Sequence, residues 1–382
     1  WVPTLITTPD GGAWAFFTGQ ARSPGGLSSR RLYATRFDPV AGSWLPATTL
    51  PGGQIQYGPA AAVDAAGVVH LVFSDRASDV PEALSTLLYT RSTPDGGWET
   101  PVPVAPHPDA GHQMMPALAA GADGSLHLLW RDQRFVSPEL RAALVANADL
   151  LASDFVDGAW TEPVQVNRRP SPDLNAGWPV IAVDGDRLVA VWSSYRGTTI
   201  EEMRTAARVE WSVRPLDDPD GWTEPATLLD RADGDTGGRS LDLAADPRGG
   251  VALVYGRLRR QENDLFLRRL DRGATDWGDE ARLGSGDLGY LPSLAVAADG
   301  TVLVAFNSGR NRDVEVGALV VSPDGTPSSA PRILTPGEEG EHGRAALALD
   351  AAGRPWIVYA HAATGSANAT EIRALRGALM GD

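Results

Sequence analysis

"MMPALAAGADGSLHLLW", residues 114–130, is an apolar run, a turn made of Gly, Asp and other small residues, and a second apolar run closed by a tryptophan. Apolar segments this short, bounded by turn residues, read as two strands of a β-hairpin rather than as helix. The same shape returns as "WVPTLITTPDGGAWAFF" (1–17), "YGPAAAVDAAGVVHLVF" (57–73), "GWPVIAVDGDRLVAVW" (177–192), "GRSLDLAADPRGGVALVY" (238–255), "YLPSLAVAADGTVLVAF" (290–306) and "GRAALALDAAGRPWIVY" (343–359). The closing aromatics are Phe17, Phe73, Trp130, Trp192, Tyr255, Phe306 and Tyr359. Self-similarity at a fixed spacing, here roughly fifty to sixty residues, marks a repeat architecture.

A third apolar segment follows most hairpins ("RRLYATRF", "TLLYTRS", "ARVEWSV", "DLFLRRL", "VGALVVS"). A turn then leads to a strand of Trp-x-x-Pro type, as in "GWETPVPV", "AWTEPVQV" and "GWTEPATL". Four short strands per unit is the makeup of a propeller blade. The inner two are apolar at nearly every position because each blade is covered on both faces. The expectation is one all-β domain over 1–382, a seven-bladed β-propeller of four-stranded antiparallel blades. The blade units fall at about 1–52, 53–108, 109–170, 171–233, 234–286, 287–338 and 339–382. The sixth unit lacks the tryptophan, and the seventh shows no fourth strand. The last blade is therefore expected to be three-stranded, or completed by residues upstream of Trp1.

Composition removes several function classes. The formal charge of −15 repels phosphate backbones and anionic membranes, and no apolar run is long enough for a membrane helix. Nucleic-acid partners and membrane insertion are not expected. There is no cysteine and no lysine, which removes disulfides, zinc–thiolate sites, thiol nucleophiles, Schiff-base lysines and phosphate-loop lysines. No His/Asp/Glu spacing reads as a metal site, and no cofactor is expected. The arginine, alanine and glycine bias suggests a GC-rich bacterial genome. A first residue that is not methionine suggests a processed, exported protein of the cell envelope or exterior, with the signal segment outside this chain.

Loops that lead into the first strand of each unit, and loops that leave the second, gather on one blade face in this architecture, where binding usually sits. The residues just before the inner strands are Gln56 and Tyr57, His112 to Met114, Asn175 and Trp178, Arg239, Tyr290, and Glu341, His342 and Arg344. Leaving the second strand, an arginine recurs as Arg134, Arg196, Arg259 and Arg310. These four are candidates for ligand contact. A structural alternative is that each pins its loop against a nearby aspartate such as Asp75 or Asp132. Arg239 and Arg344 share one position in two units only, with Tyr290 between them in order. Two arginines and a tyrosine would suit a carboxylate-bearing ligand, since guanidinium binds carboxylate bidentately; alternatively they satisfy loop carbonyls and nearby glutamates. His70 and His127 share a hairpin position held elsewhere by Trp14, Val189, Ala252, Leu303 and Trp356, which makes them packing residues. "SPEL" and "TTIEE" (137–140 and 198–202) carry capping signals for short helical turns, with Glu139, Glu201 and Glu202 among their carboxylates.

The repeated hairpins and the "DGxW"-like turns ("STPDGGW", "VDGAW", "PDGW") resemble the sialidase-like BNR-repeat (Asp-box) propellers along the whole chain. That resemblance implies a glycan site built on an arginine triad and a tyrosine. Arg239 and Arg344 look like two of the triad positions and Tyr290 like the tyrosine, while Trp1 stands where the first arginine would. Sialidases have six blades. Propeller polysaccharide lyases have seven and use His, Tyr and Arg to remove a proton next to a carboxylate, for which His112, Tyr290 and Arg344 are the corresponding residue types.

Two functions follow as expectations. The first is a non-catalytic propeller that binds a ligand, glycan or protein on its loop face. The second is a glycosidase or polysaccharide lyase acting on an acidic sugar at the channel mouth. Tyr290, His112 and Glu341 are the catalytic candidates. Arg239, Arg344, Tyr290, Trp178, His112, Tyr57, Arg134, Arg196, Arg259 and Arg310 are the ligand-binding candidates.

Overall fold

The computed structural model describes residues 3–22, 28–53, 55–77, 83–107, 111–135, 148–168, 174–196, 208–230, 235–259, 262–284, 288–309, 314–337, 339–362 and 370–377. Within these, side chains are described except at 20–22, 28, 174, 195–196, 235–240, 258–259, 262–263, 288–290, 341 and 370. Every regular element among the described residues is a β-strand. The helical turns expected at 137–140 and 198–202 lie outside the described residues.

The chain forms two compact units, Trp1–Phe17 with Thr35–Pro46 and Ala232–Asp382, and Thr18–Ala34 with Ala47–Arg231. In the second unit the expected hairpins are Ile55–Val63 with Val69–Arg76, Gln113–Ala120 with Leu126–Asp132, and Leu174–Asp184 with Arg187–Arg196. Each continues antiparallel into a third strand, Thr86–Arg91, Asp149–Val156 or Arg208–Pro215, and then a short edge strand. In the first unit Asp235–Ala245, Val251–Arg259, Glu262–Leu270 and Ala281–Gly284 form one four-stranded sheet, and Leu288–Val296, Val302–Ser308, Glu315–Val321 and Arg332–Ile333 another. The last sheet has three strands, Glu341–Leu349, Pro355–Ala362 and Thr370–Arg376. Residues 378–382 lie outside the described residues. The first repeat has residues in both units, and a single parallel bridge between Arg30 and Ile55 joins its sheet to that of the second repeat.

The register explains the repeat. His70, His127, Val189, Ala252, Leu303 and Trp356 each face an alanine across the hairpin: Ala62, Ala119, Ala182, Ala244, Ala295 and Ala348. A small residue opposite a variable one lets neighbouring sheets close on each other without voids. Three positions on, the aromatics from Phe73 to Tyr359 are fully buried, while Phe17 is half-buried. Turn aspartates hold the hairpins: Asp64, Asp123, Asp246, Asp299 and Asp350 each accept an amide two residues ahead.

Apolar clusters form between successive repeats. Val72, Leu87 and Tyr89 meet Leu128, Trp130 and Leu151, and Leu129 and Leu150 meet Ile181, Leu188 and Trp192. In the first unit Val254 and Leu265 meet Val304 and Phe306, and Leu303 and Val316 meet Leu347 and Tyr359. Also within that unit, Leu5, Ala13, Ala15 and Phe37 pack with Ala346, Trp356 and Val358, so the first and last repeats are neighbours. Thr7 Oγ1 donates to the Leu349 carbonyl at 2.6 Å across the same seam.

Candidate active site

Among the described residues, the inner strands of the second to seventh repeats each carry a β-bulge near their start. The residue at the bulge has positive φ in five repeats: Gly58, Met115, Trp178, Leu291 and Arg344, at 52–60°. For a non-glycine residue this backbone costs on the order of 1–2 kcal/mol. The bulge breaks strand alternation and aims the two or three residues before it across the inner end of the sheet. Polar residues there do two different jobs.

One job is fastening. Gln56 Oε1 accepts the Leu32 amide at 2.9 Å, Gln113 Oε1 accepts the Leu87 amide at 3.2 Å, and Asn175 Oδ1 accepts the Ala148 amide at 3.1 Å. Each ties an inner strand to the third strand of the preceding repeat. The arginine after the second strand is a fastener as well where it is described. Arg134 is buried and gives Asp132 bonds of 3.1 Å from Nε and 3.0 Å from Nη2, and Asp132 also accepts the Trp130 indole at 2.8 Å. That is the structural alternative read from the sequence. The side chains of Arg196 and Arg259, and all of Arg310, lie outside the described residues.

The other is a hydrogen-bonded chain of ionisable and hydroxyl side chains around His112 in the second unit. Its Nδ1 accepts the Ser85 backbone amide at 3.2 Å and lies 3.2 Å from Ser85 Oγ. Ser85 Oγ is in turn hydrogen-bonded to the Tyr57 hydroxyl. All three residues are buried, and the backbones lock together: the Gln113 amide donates to the Ser85 carbonyl at 2.9 Å, and the His112 amide to Gln133 Oε1 at 3.2 Å. No hydrogen-bond partner of His112 Nε2 is present among the described residues. Burial pulls the His112 pKa down to about 4, helped by the positive charges of Arg76 and Arg131. Burial raises the Tyr57 pKa, opposed by its bond to Ser85 and by Arg76, Arg30 and Arg131. Arg131 is itself held by the Ala176 carbonyl and Asn175 Oδ1, each at 3.2 Å, and Arg76 Nε by the Ala83 carbonyl at 2.9 Å. The result is a neutral imidazole, a protonated phenol and a serine in one chain under arginine potential.

Of the residues singled out from sequence, Tyr57 and His112 are thus brought together. Trp178 is a half-buried bulge residue. In the first unit the backbone of Tyr290 pairs with Asn307, and the Arg344 amide donates to Asn307 Oδ1 at 2.9 Å, with the Arg344 side chain exposed. The side chains of Arg239, Tyr290 and Glu341 lie outside the described residues. The register corrects one reading: Arg344 lies two residues before Ala346, which faces Val358, whereas Arg239 lies three before Asp242, which faces Val254. Counted from the hairpin, they are one position apart rather than equivalent. Sequence reasoning missed Ser85, Arg131 and Arg76 as members of the cluster. It also missed that His361 Nδ1 and His342 Nε2 are hydrogen-bonded at 2.8 Å, both rings being buried.

Two motifs that resemble chemistry prove to be packing. Ser125 Oγ, His127 and Asp154 stand in Ser–His–Asp order, with 2.9 Å from Ser125 Oγ to Nε2 and 2.8 Å from Nδ1 to Asp154. Ser125 Oγ also bonds Asp123 within its turn at 2.6 Å, and Arg214 pairs with Asp154. His70 repeats the pattern with Asp64 and Tyr89 in the neighbouring repeat, so the arrangement belongs to the hairpin. Among the described residues no group of three or more potential ligands could hold a metal ion.

No family model matches the sequence, and no curated protein does either. Solved structures do match in fold. A PL25 ulvan lyase bound to -[GlcA(1-4)Rha3S]- aligns with TM-score 0.60 and 12% identity over 99% of this chain and 94% of its own. The polysaccharide lyase Uly1 aligns at 0.52 and 11% over 98% and 88%. A Penicillium chrysogenum α-L-arabinanase complexed with arabinobiose aligns at 0.58 and 17% over 85% and 94%. These three neighbours are carbohydrate-active enzymes. At these identities the likeness is one of fold.

Proposed function

We propose that this chain is a seven-bladed β-propeller enzyme that cleaves an acidic polysaccharide, with Tyr57 and His112 in its active site. The four-stranded antiparallel sheets and the contact of the first and last repeats within the first unit support the propeller reading. The fold neighbours support the second of the two sequence readings, a carbohydrate-active enzyme, over a non-catalytic binder. The observation that carries the site is the Tyr57–Ser85–His112 chain beneath Arg76 and Arg131.

Its chemistry favours elimination over hydrolysis. Glycoside hydrolysis uses two carboxyl groups on opposite sides of the scissile bond, whereas the charged groups that perturb His112 are arginines. Elimination from a uronate needs a positive field to hold the carboxylate and spread charge as the adjacent C5 proton leaves, a base for that proton, and an acid for the O4 leaving group. Arginine, tyrosine and histidine supply those types. The uronate in the ligand of one fold neighbour fits the same reading. The sialidase-like site on Arg239, Tyr290 and Arg344 remains a separate proposal for the first unit, as does export from the cell.

The test is product analysis after incubation with uronate-containing polysaccharides. Ends that carry a C4–C5 double bond and no added water support the reading, and saturated ends with water added would replace it with hydrolysis.

A further inference from the structure

Hydrogen-bond donors fix the state of His112. A backbone N–H can only donate, so the Ser85 amide at 3.2 Å requires an unprotonated Nδ1. The neutral ring therefore carries its proton on Nε2, the nitrogen without a described partner. With Nδ1 a lone-pair acceptor, the Ser85 hydroxyl also donates to it, and the remaining bond of Ser85 Oγ is accepted from the Tyr57 hydroxyl. Every proton in the chain points the same way, from Tyr57 through Ser85 to His112.

Resting on the elimination reading, we infer that Ser85 is a relay residue that closes a proton circuit between Tyr57 and His112. His112 is the acid and Tyr57 the base. A neutral imidazole is too weak an acid to protonate a leaving alkoxide unless its other nitrogen is protonated in the same event. The relay supplies that proton. The Nε2 proton passes to O4 as the C4–O4 bond breaks, and the Ser85 hydroxyl proton moves to Nδ1. The Tyr57 proton moves to Ser85 Oγ, and the C5 proton moves to the Tyr57 oxygen while the C5–H electron pair becomes the C4–C5 double bond. Tyrosine and serine each end with one proton, histidine ends as the Nδ1–H tautomer, and the net change is transfer of the C5 proton to O4. Return of the Nδ1 proton through Ser85 and Tyr57 to water, with water protonating Nε2, restores the starting tautomer. Among the described residues, the groups that bond to the ring or act on its charge, Ser85, Arg76 and Arg131, include no carboxylate that would hold an imidazolium, in keeping with the need for a neutral donor.

The role of Ser85 is testable apart from the activity itself. Nitrogen-15 NMR of the imidazole in the full-length wild-type chain, from mildly acidic to mildly basic pH, should show Nδ1 bare and Nε2 protonated. A protonated Nδ1 in the resting protein overturns the circuit. In turnover, Ser85→Ala should cost kcat about 10²-fold or more with little change in KM and lose the solvent isotope effect of a multi-proton step, and Ser85→Thr should recover most of the rate. Ser85→Ala with wild-type kcat on a polymer the wild type eliminates overturns the relay and leaves the elimination reading intact. A wild type that yields no unsaturated ends overturns the reading, and the tautomer measurement still decides whether Ser85 sets the histidine.

Discussion

Arg134 and Asp132 form a buried two-point ion pair two residues apart, with the guanidinium 3.1 and 3.0 Å from the two carboxylate oxygens. The pair also receives the Trp130 indole and the Gln113 amide group, so it is a knot joining strand end, loop and next strand start. Removing one partner of a buried pair leaves the other charge uncompensated, at a cost of about 3–5 kcal/mol. Arg134→Ala should therefore lower the unfolding free energy by that order, measured by urea titration. A loss below about 1 kcal/mol would mean that the pair is no knot.

Asp242 gives a pH signature in the first unit. Its carboxylate is enclosed, accepts the Leu294 amide at 2.8 Å and the Leu243 amide at 2.9 Å, and burial pushes its pKa up to about 6. Because the folded value is raised, its contribution is fully present below the unfolded value of 3.8 and is lost as pH rises through about 6. The loss amounts to about 3 kcal/mol. Asp242→Asn keeps an acceptor oxygen without the charge. Its stability relative to wild type should rise between acidic and neutral pH, and a pH-independent difference would contradict the assignment.

The seven hairpins were legible because packing imposes the same small-opposite-variable pairing in six of them, and because turn aspartates recur for local reasons. His70 and His127 could be recognised as packing residues from their shared position. Ser85 carried no such signal. It is an ordinary serine in "EALSTLLY", and only the non-local approach of the next repeat puts His112 against it. Arg131 lies inside the stretch that looked periodic, on the second strand of its hairpin, and its side chain reaches Asn175 of the next repeat. Arg239 and Arg344 looked equivalent because each follows the glycine that opens its segment, yet Arg239 stands sixteen residues before Tyr255 and Arg344 fifteen before Tyr359. Gln56, Gln113 and Asn175 belong to the polar ring before the inner strands, and each side-chain oxygen accepts a backbone amide of the preceding repeat, a non-local contact that no sequence pattern announces.

Arg344 offers a separation of strain from function. Its φ of 57° is unfavourable for a side chain, and that side chain is exposed. Arg344→Gly should be neutral or stabilising, by up to about 1 kcal/mol. If Arg344 serves an acidic ligand in the first unit, the same variant will bind that ligand more weakly while melting no lower, which differential scanning calorimetry and titration would show together. A clear drop in melting temperature would show instead that its side chain holds the bulge.

In the proposed elimination, His112 sets the acid limb. With its pKa held down to about 4 by burial and by Arg76 and Arg131, the ring stays neutral well below the usual histidine range. The rate should accordingly stay level through pH 6.5, where an ordinary histidine would titrate, and fall only toward pH 4. An acid limb centred near 6.5 would contradict a buried neutral donor.

The most direct test of the central claim follows the ultraviolet absorbance of newly formed C4–C5 double bonds in a uronate-containing polysaccharide. Wild type, Tyr57→Phe and His112→Ala would be compared at matched melting temperatures. The account predicts a steady rise with wild type and a loss of about 10²-fold or more in each variant. Equal rates in all three, or cleavage without unsaturated ends, would contradict it.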